Sequence, residues 1–72
     1  MPEERRRLSQ DPDQLFRHRI RARLTQAQLA DRAGLVKSTV SRLERGLVSA
    51  EPETLHVLAE ALGCSVDDLM LS

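Results

Sequence analysis

The stretch from 25 to 46, TQAQLADRAGLVKSTVSRLERG, restricts the fold more than any other part of this 72-residue chain. Thr25, with Gln28 three residues later, forms a capping-box pattern, which is typical of a helix start. Apolar residues then recur at helical spacing, namely Leu29, Ala30 and Ala33. Because Gly34 can adopt the left-handed conformation that ends a helix, this half of the stretch predicts a helix over 26–33 and a tight turn.

A second helix is predicted over 37–45, and its two faces differ. The apolar face contains residues at steps of four, three and four: Val36, Val40, Leu43 and Leu47. The opposite face is cationic and rich in hydroxyl groups: Lys37, Ser38, Ser41, Arg42 and Arg45. Two short helices joined by a glycine turn form a helix-turn-helix, in which the second helix lies in the DNA major groove. An ordinary helical hairpin with a solvated polar face fits the same periodicity.

Signals for three further helices flank this stretch. Pro12, after a possible Asp11 cap, and Pro52 suit first helical positions, and Ser65 with Asp68 repeats the capping-box pattern. They predict helices over 12–23, 52–62 and 66–70. We expect their inward residues to be Leu15, Phe16 and Ile20 in the first helix, Leu55, Leu58, Ala59 and Leu62 in the fourth, and Val66, Leu69 and Met70 in the last. No alternating apolar pattern predicts a strand.

Three segments of the chain carry a resemblance to a known family: LTQAQLA (24–30), STVSRLERG (38–46) and ETLHVLAEALGCSVDDLM (53–70). In this order and spacing they resemble the Xre/Cro type of phage-repressor helix-turn-helix domain. The resemblance implies an all-α, five-helix, lambda-repressor-like DNA-binding domain over 11–72. It leaves 1–10 as a flexible basic arm.

The net charge of zero hides an asymmetry along the chain. Residues 1–46 contain eleven basic and six acidic residues, a net charge of +5, whereas 47–72 contain five acidic residues and no basic one. Part of the basic excess is the run Arg5, Arg6 and Arg7, which is either a solvated tail or an arm that contacts phosphates or the minor groove. The asymmetry favours one oriented nucleic-acid face over uniform binding.

The resemblance also implies roles for individual residues. Arg19 would pair with Glu44 and fix the recognition helix, although a weak surface pair is the competing interpretation. Base contacts would come from Lys37, Ser38 and Arg42. The resemblance implies a phosphate contact from Gln26, although Thr25 and Gln26 could both merely cap the helix. We also expect phosphate contacts from Thr25, at the same positive helix start, and from Thr39 and Arg45.

Two departures from the family pattern concern the ends of the recognition helix. Val36 stands where a serine-like cap is common, so the helix start is expected to be less well satisfied. The segment 47–51, LVSAE, is apolar and acidic where the family loop is often basic. We therefore expect less phosphate anchoring from this loop, with Leu47 and Val48 available to a second subunit.

Composition argues against several other functions. Phe16 is the only aromatic residue, which disfavours single-strand binding by base stacking. Cys64 is the only cysteine, so an internal disulfide is impossible, and we expect a small buried hydrophobic residue in a cytoplasmic protein. No apolar run is long enough for a signal peptide or a membrane span. His18 and His56 show no sequence spacing typical of a metal or catalytic site, so neither an enzyme, a cofactor nor a metal is expected.

The predicted function is a sequence-specific, double-stranded DNA-binding transcriptional regulator, most simply a repressor. One recognition helix covers few base pairs, so we expect a homodimer on a palindromic operator. The alternative is an antitoxin that binds a toxin protein and regulates its own operon. It would need a toxin-binding segment, for which only the arm and the acidic end with Leu69, Met70 and Leu71 are spare.

Overall fold

A computed structural model describes residues 8–71, which form five helices and no strand. The helices are α1 (Pro12–Arg21), α2 (Gln26–Ala33), α3 (Lys37–Glu44), α4 (Pro52–Leu62) and α5 (Val66–Leu69). The all-α class and the order of five helices confirm the sequence prediction. No helix in this part of the chain is long and apolar enough to cross a membrane.

Among the five helices of residues 8–71, three begin at a side-chain cap that the sequence predicts, and α3 lacks one, as the sequence also predicts. Asp11 caps α1, and Thr25 and Ser65 form complete capping boxes with Gln28 and Asp68. The hydrogen bonds from Ser65 hold the pKa of the Asp68 carboxyl below its usual value. Val36 precedes α3 without a side-chain cap. The first N–H groups of α3 are therefore satisfied by no capping side chain.

The predicted end of α1 is wrong by two residues. The helix ends at Arg21, and Arg23 adopts a left-handed conformation with φ 61°. The amides of Arg23 and Leu24 donate to the carbonyls of Ile20 and Arg19, respectively. Arg23 thus ends α1 in the way that Gly34 and Gly63 end α2 and α4. Arginine carries no sequence signal for this conformation, and holding it there costs about 1–2 kcal/mol.

The core lies where α2 packs on α3 and α4, with α1 against α3 and α5. Eleven buried apolar residues form it: Leu15, Leu24, Leu29, Ala30, Val40, Leu43, Ala50, Leu55, Leu58, Ala59 and Leu69. Phe16 and Ile20, which were expected to face inward, are 46% and 51% exposed, and Val36 and Leu47, which were assigned to the apolar face of the third helix, are 65% and 61% exposed. Of the four residues expected on the apolar face of α3, only Val40 and Leu43 are buried.

The first of these errors has a clear physical cause. The buried residues of α1 are Leu15 and, one turn later, Arg19. Because the helix turns Arg19 inward, Phe16 and Ile20 face outward, and the guanidinium carbon of Arg19 lies 5.4 Å from the Phe16 ring centroid.

Val36 and Leu47 lie outside the two ends of α3. Val36 precedes the first turn of α3, and Leu47 follows the glycine that ends it. The expected inward position of Met70 is wrong as well, since α5 ends at Leu69 and Met70 is extended and exposed, pairing with Gln10 in an isolated β-bridge.

Arg19 and Glu44 form the ion pair that the family resemblance implies. The Nε and Nη2 atoms of Arg19 lie 2.6 and 3.1 Å from the two carboxylate oxygens of Glu44. The remaining guanidinium nitrogen donates to the Leu24 carbonyl at 2.8 Å, and Gln26 Nε2 donates to Glu44 at 3.1 Å. Their side chains are only 10% and 5% exposed, so the pair is a buried bidentate one.

Gln10 is a second buried polar residue, and it holds the segment that follows α3. Its Nε2 donates to the carbonyls of Leu43 and Val48 at 3.2 and 2.8 Å, and its Oε1 accepts from the Ala50 amide at 2.8 Å. The side chain has no exposed surface. Gln10 and the neighbouring Ser9, which bonds to Ser49, therefore belong to the folded domain. This corrects the predicted arm boundary, while Arg5 to Arg7 lie outside the described residues.

We predict that Gln10→Ala lowers the free energy of unfolding by about 2–4 kcal/mol, because the Val48 carbonyl and the Ala50 amide lose their partner. Urea denaturation measures the change. Gln14→Ala is the control, since Gln14 is half-buried on α1 and its side chain makes no hydrogen bond within 8–71. A Gln10→Ala loss as small as that of the control would contradict the role given to Gln10.

The buried ion pair predicts strong coupling between Arg19 and Glu44. Arg19→Met or Glu44→Leu alone leaves a buried charge unpaired and should cost about 3–5 kcal/mol. The double variant should lose less than either single variant, since no buried charge remains. Urea denaturation of all four proteins gives the coupling energy, and losses that simply add would show two independent residues.

Candidate nucleic-acid interface

The solvent face of α3 contains the residues that the sequence assigns to base contacts. Lys37, Ser38 and Arg42 are all exposed, while Val40 and Leu43 on the opposite face are buried. Positions 38 and 42 are one helical turn apart, so their side chains lie next to each other. The structure thus brings together two cations and a hydroxyl on one accessible helix surface.

This surface has no charge partner among residues 8–71. Within residues 8–71, no carboxylate lies within ion-pair distance of Lys37, Arg42 or Arg45. Glu44, the one acidic residue of α3, has a side chain that is only 5% exposed, and it is already paired with Arg19. The positive charge of the α3 face is therefore available to an anionic ligand.

The start of α2 lies beside the second half of α3. The hydrogen bond from Gln26 to Glu44 joins the first residue of α2 to the last residue of α3, next to Arg45. Arg45 is exposed, and Thr39, earlier on α3, is half-buried. The contact between Gln26 and Glu44 places the start of α2 near the C-terminal end of α3, whereas Thr39 lies toward the beginning of that helix.

Both polar residues at the start of α2 retain donors after their internal bonds are made. The Thr25 hydroxyl oxygen accepts from the Gln28 amide at 3.0 Å, which leaves its own proton free. The Gln26 side-chain nitrogen carries two N–H groups and uses one of them to donate a hydrogen bond to Glu44. These donors stand at a helix N-terminus, where the helix dipole favours an anion.

Sequence patterns gave no reason to include Arg23 or Gln10 in this region. Arg23 is exposed and stands two residues before Thr25, so its charge is near the same helix start. Gln10 fixes the backbone of the segment that follows α3 through the Val48 and Ala50 contacts. Both roles depend on tertiary geometry, and no local spacing indicates them.

The segment after α3 differs from the two basic regions. Leu47 and Val48 are 61% and 41% exposed, and Glu51 is exposed as well. Its serine is already engaged, because the Ser49 hydroxyl accepts from the Ser9 amide. This segment therefore presents an apolar surface with one acidic group at its end.

Comparisons with known proteins agree with this geometry. A family described as "Helix-turn-helix domain" matches residues 13–71. The competence pilus inhibition repressor of Acinetobacter baylyi is 45% identical over 47 residues, which are 65% of this chain and 43% of that protein. The chain therefore spans less than half the length of this curated relative.

A solved structure shows the same arrangement of helices. The DNA-binding domain (1–76) of the P22 C2 repressor, determined by nuclear magnetic resonance, matches with a TM-score of 0.75 and 28% identity. The match covers 78% of this chain and 74% of that one. With the family match over 13–71, it shows that this chain belongs to the helix-turn-helix domain family, in its Xre and phage-repressor-like form.

Proposed function

We propose that the chain is a transcriptional regulator, acting as a repressor, that binds double-stranded DNA by inserting α3 into the major groove. The observation that carries this proposal is the exposed cationic face of α3 opposite the buried Val40 and Leu43. An α-helix fits the width of the major groove, where base edges present distinct donor and acceptor patterns. The two relatives support it, since one is called a repressor and the other is a repressor's DNA-binding domain.

The chemistry of three side chains suggests what α3 would read. Arg42 and Lys37 only donate hydrogen bonds, so their natural targets are the O6 and N7 atoms of guanine. Arg42 can make a two-pronged contact, which Lys37 cannot. Ser38 both donates and accepts and would discriminate between bases less strongly.

Phosphate contacts would fix the register of α3. Thr25 and Gln26 carry donors at the start of α2, and Arg45 directly follows Glu44, the residue that Gln26 contacts. Thr39 is half-buried near the uncapped start of α3, whose first N–H groups are unpaired by any side-chain cap. Hydrogen bonds from these two groups of donors to separate phosphates of the DNA backbone would orient the helix between them.

We propose further that the protein binds a palindromic operator as a homodimer. A single α3 reads too few base pairs for useful specificity, and a two-fold pair reads twice as many. The exposed Leu47 and Val48 lie just after α3 and are the apolar surface best placed for self-contact.

Selection of bound duplexes from a random pool, at one stated salt concentration, tests the function directly. The proposal predicts an enriched site with two inverted half-sites about one DNA turn apart and at least one essential guanine in each. A pool that stays unenriched, while the folded protein is present at micromolar concentration, would contradict sequence-specific binding.

On the selected site, Arg42→Ala should cost about 1–3 kcal/mol of binding free energy and relax base preference at one position. Arg45→Ala should instead weaken binding to all DNA sequences about equally. It should also reduce the slope of log binding constant against log salt concentration by about one. Arg32→Ala is the control, because Arg32 is exposed at the opposite end of α2 from Gln26. Equal losses for Arg42→Ala on selected and random DNA would rule out base reading.

Sedimentation velocity should show two chains on each selected duplex. Leu47→Asp should weaken this paired binding, because it places a charge in the self-contact, while leaving the free energy of unfolding nearly unchanged. Ile20→Asp is a matched control, since Ile20 is 51% exposed on α1. One chain per duplex for the unmodified protein would refute the homodimer.

A further inference from the structure

His18, Cys64 and Asp68 meet although His18 is distant from the other two in sequence. His18 lies on α1, Cys64 lies between α4 and α5, and Asp68 lies on α5. One ligand-capable atom from each side chain, a ring nitrogen, the sulfur and a carboxylate oxygen, lies within 4.8 Å of the others. All three line one open cavity of about 360 Å³.

These three groups form a mixed set of metal ligands. Zinc binds thiolate sulfur at about 2.3 Å, imidazole nitrogen at about 2.0 Å and carboxylate oxygen at about 2.1 Å. Ligand atoms in a tetrahedral zinc site are therefore about 3.5 Å apart. The present atoms need to approach one another by roughly 1 Å, which side-chain rotation can supply at the rim of an open cavity.

The hydrogen bonding of Asp68 leaves it able to bind a metal. Its Oδ2 accepts from the Ser65 amide at 3.1 Å, which fixes the carboxylate, and its Oδ1 makes no hydrogen bond to another residue of 8–71. His18 and Cys64 are half-buried, and Asp68 is exposed, so the cluster is open to ions from solvent. Arg21 also lines the cavity, but it is exposed and can turn its charge into solvent.

We propose that His18, Cys64 and Asp68 bind one zinc-type divalent transition metal, with a water molecule in the fourth position. A thiolate and a carboxylate together neutralise the charge of a divalent ion. The metal ties α1 to the segment that joins α4 and α5. It stabilises the folded chain because it binds a site that unfolding disperses.

This metal site is separate from the proposed DNA interface. None of its three ligands is on α2 or α3, and none belongs to the residues proposed to contact bases or phosphates. Its effect on stability can therefore be measured without DNA. The metal proposal stands or falls independently of the regulatory function.

Cobalt(II) is the spectroscopic probe for this site. We expect the untagged, reduced protein to bind one Co²⁺ per chain, with a sulfur-to-cobalt charge-transfer band and the intense visible bands of four-coordinate cobalt. Zinc should displace the cobalt and remove both features. Free zinc at a hundred times its dissociation constant should raise the Tm by about 10–20 °C.

Single-site variants assign the ligands. Cys64→Ala should abolish the charge-transfer band, and His18→Gln and Asp68→Asn should each weaken cobalt binding by at least about tenfold. Asp68→Asn retains an acceptor for the Ser65 amide, so the helix start is preserved. The control is His56→Gln, because His56 is exposed on α4 and away from the cavity.

Circular dichroism of each variant without metal first establishes that it is folded. If His18→Gln and Asp68→Asn bound cobalt as tightly as the unmodified protein, with a full charge-transfer band, the three-ligand site would be overturned. A stoichiometry of one metal per two chains would overturn it as well. An unchanged Tm and no band at millimolar cobalt would overturn metal binding altogether.

Discussion

The position of α3 depends on one buried carboxylate. Glu44 receives two hydrogen bonds from Arg19 of α1 and one from Gln26 of α2, so three helices meet at its side chain. Arg19 also donates to the Leu24 carbonyl, which ties α1 to the turn before α2. Because a bidentate guanidinium contact fixes orientation as well as distance, this network sets the angle of α3 against the other helices. It contributes more to geometry than to net stability, since burying the charges is costly.

Fixing one face of α3 determines what the other face can do. With Glu44 turned inward, the acidic group of the helix is neutralised, and the cations on the outer face keep their full effect. Gln10 holds the segment that follows α3 by bonding to the Val48 carbonyl and the Ala50 amide. The acidic half of the chain builds α4, which packs on α2, and α5, which packs on α1 and α4. The fold thus gives the molecule one cationic surface that belongs to a rigid helix.

Local signals explain how much of this fold could be predicted. The bounds of α2 and α4 agree with the sequence prediction because glycine, proline and capping boxes act within a few residues. The end of α1 could not be predicted, since Arg23 adopts a left-handed conformation without a glycine. Helical periodicity also wrongly predicted that Phe16 is buried. The inward position is occupied by Arg19, because Arg19 pairs with Glu44, which is distant in sequence. The burial of Gln10 and the meeting of His18 with Cys64 depend on contacts between remote segments, for which sequence spacing has no signal.

The central claim is that α3 is a preformed, DNA-facing helix, and nuclear magnetic resonance of the isotope-labelled chain tests it most directly. Backbone amide signals are followed while a selected duplex is added at moderate ionic strength. The account predicts that the largest shifts fall at Thr25, Gln26 and 37–45, with α4 little changed and the helices already formed in the free protein. Unmoved signals over 37–45, or shifts concentrated on α4 and α5, would contradict it.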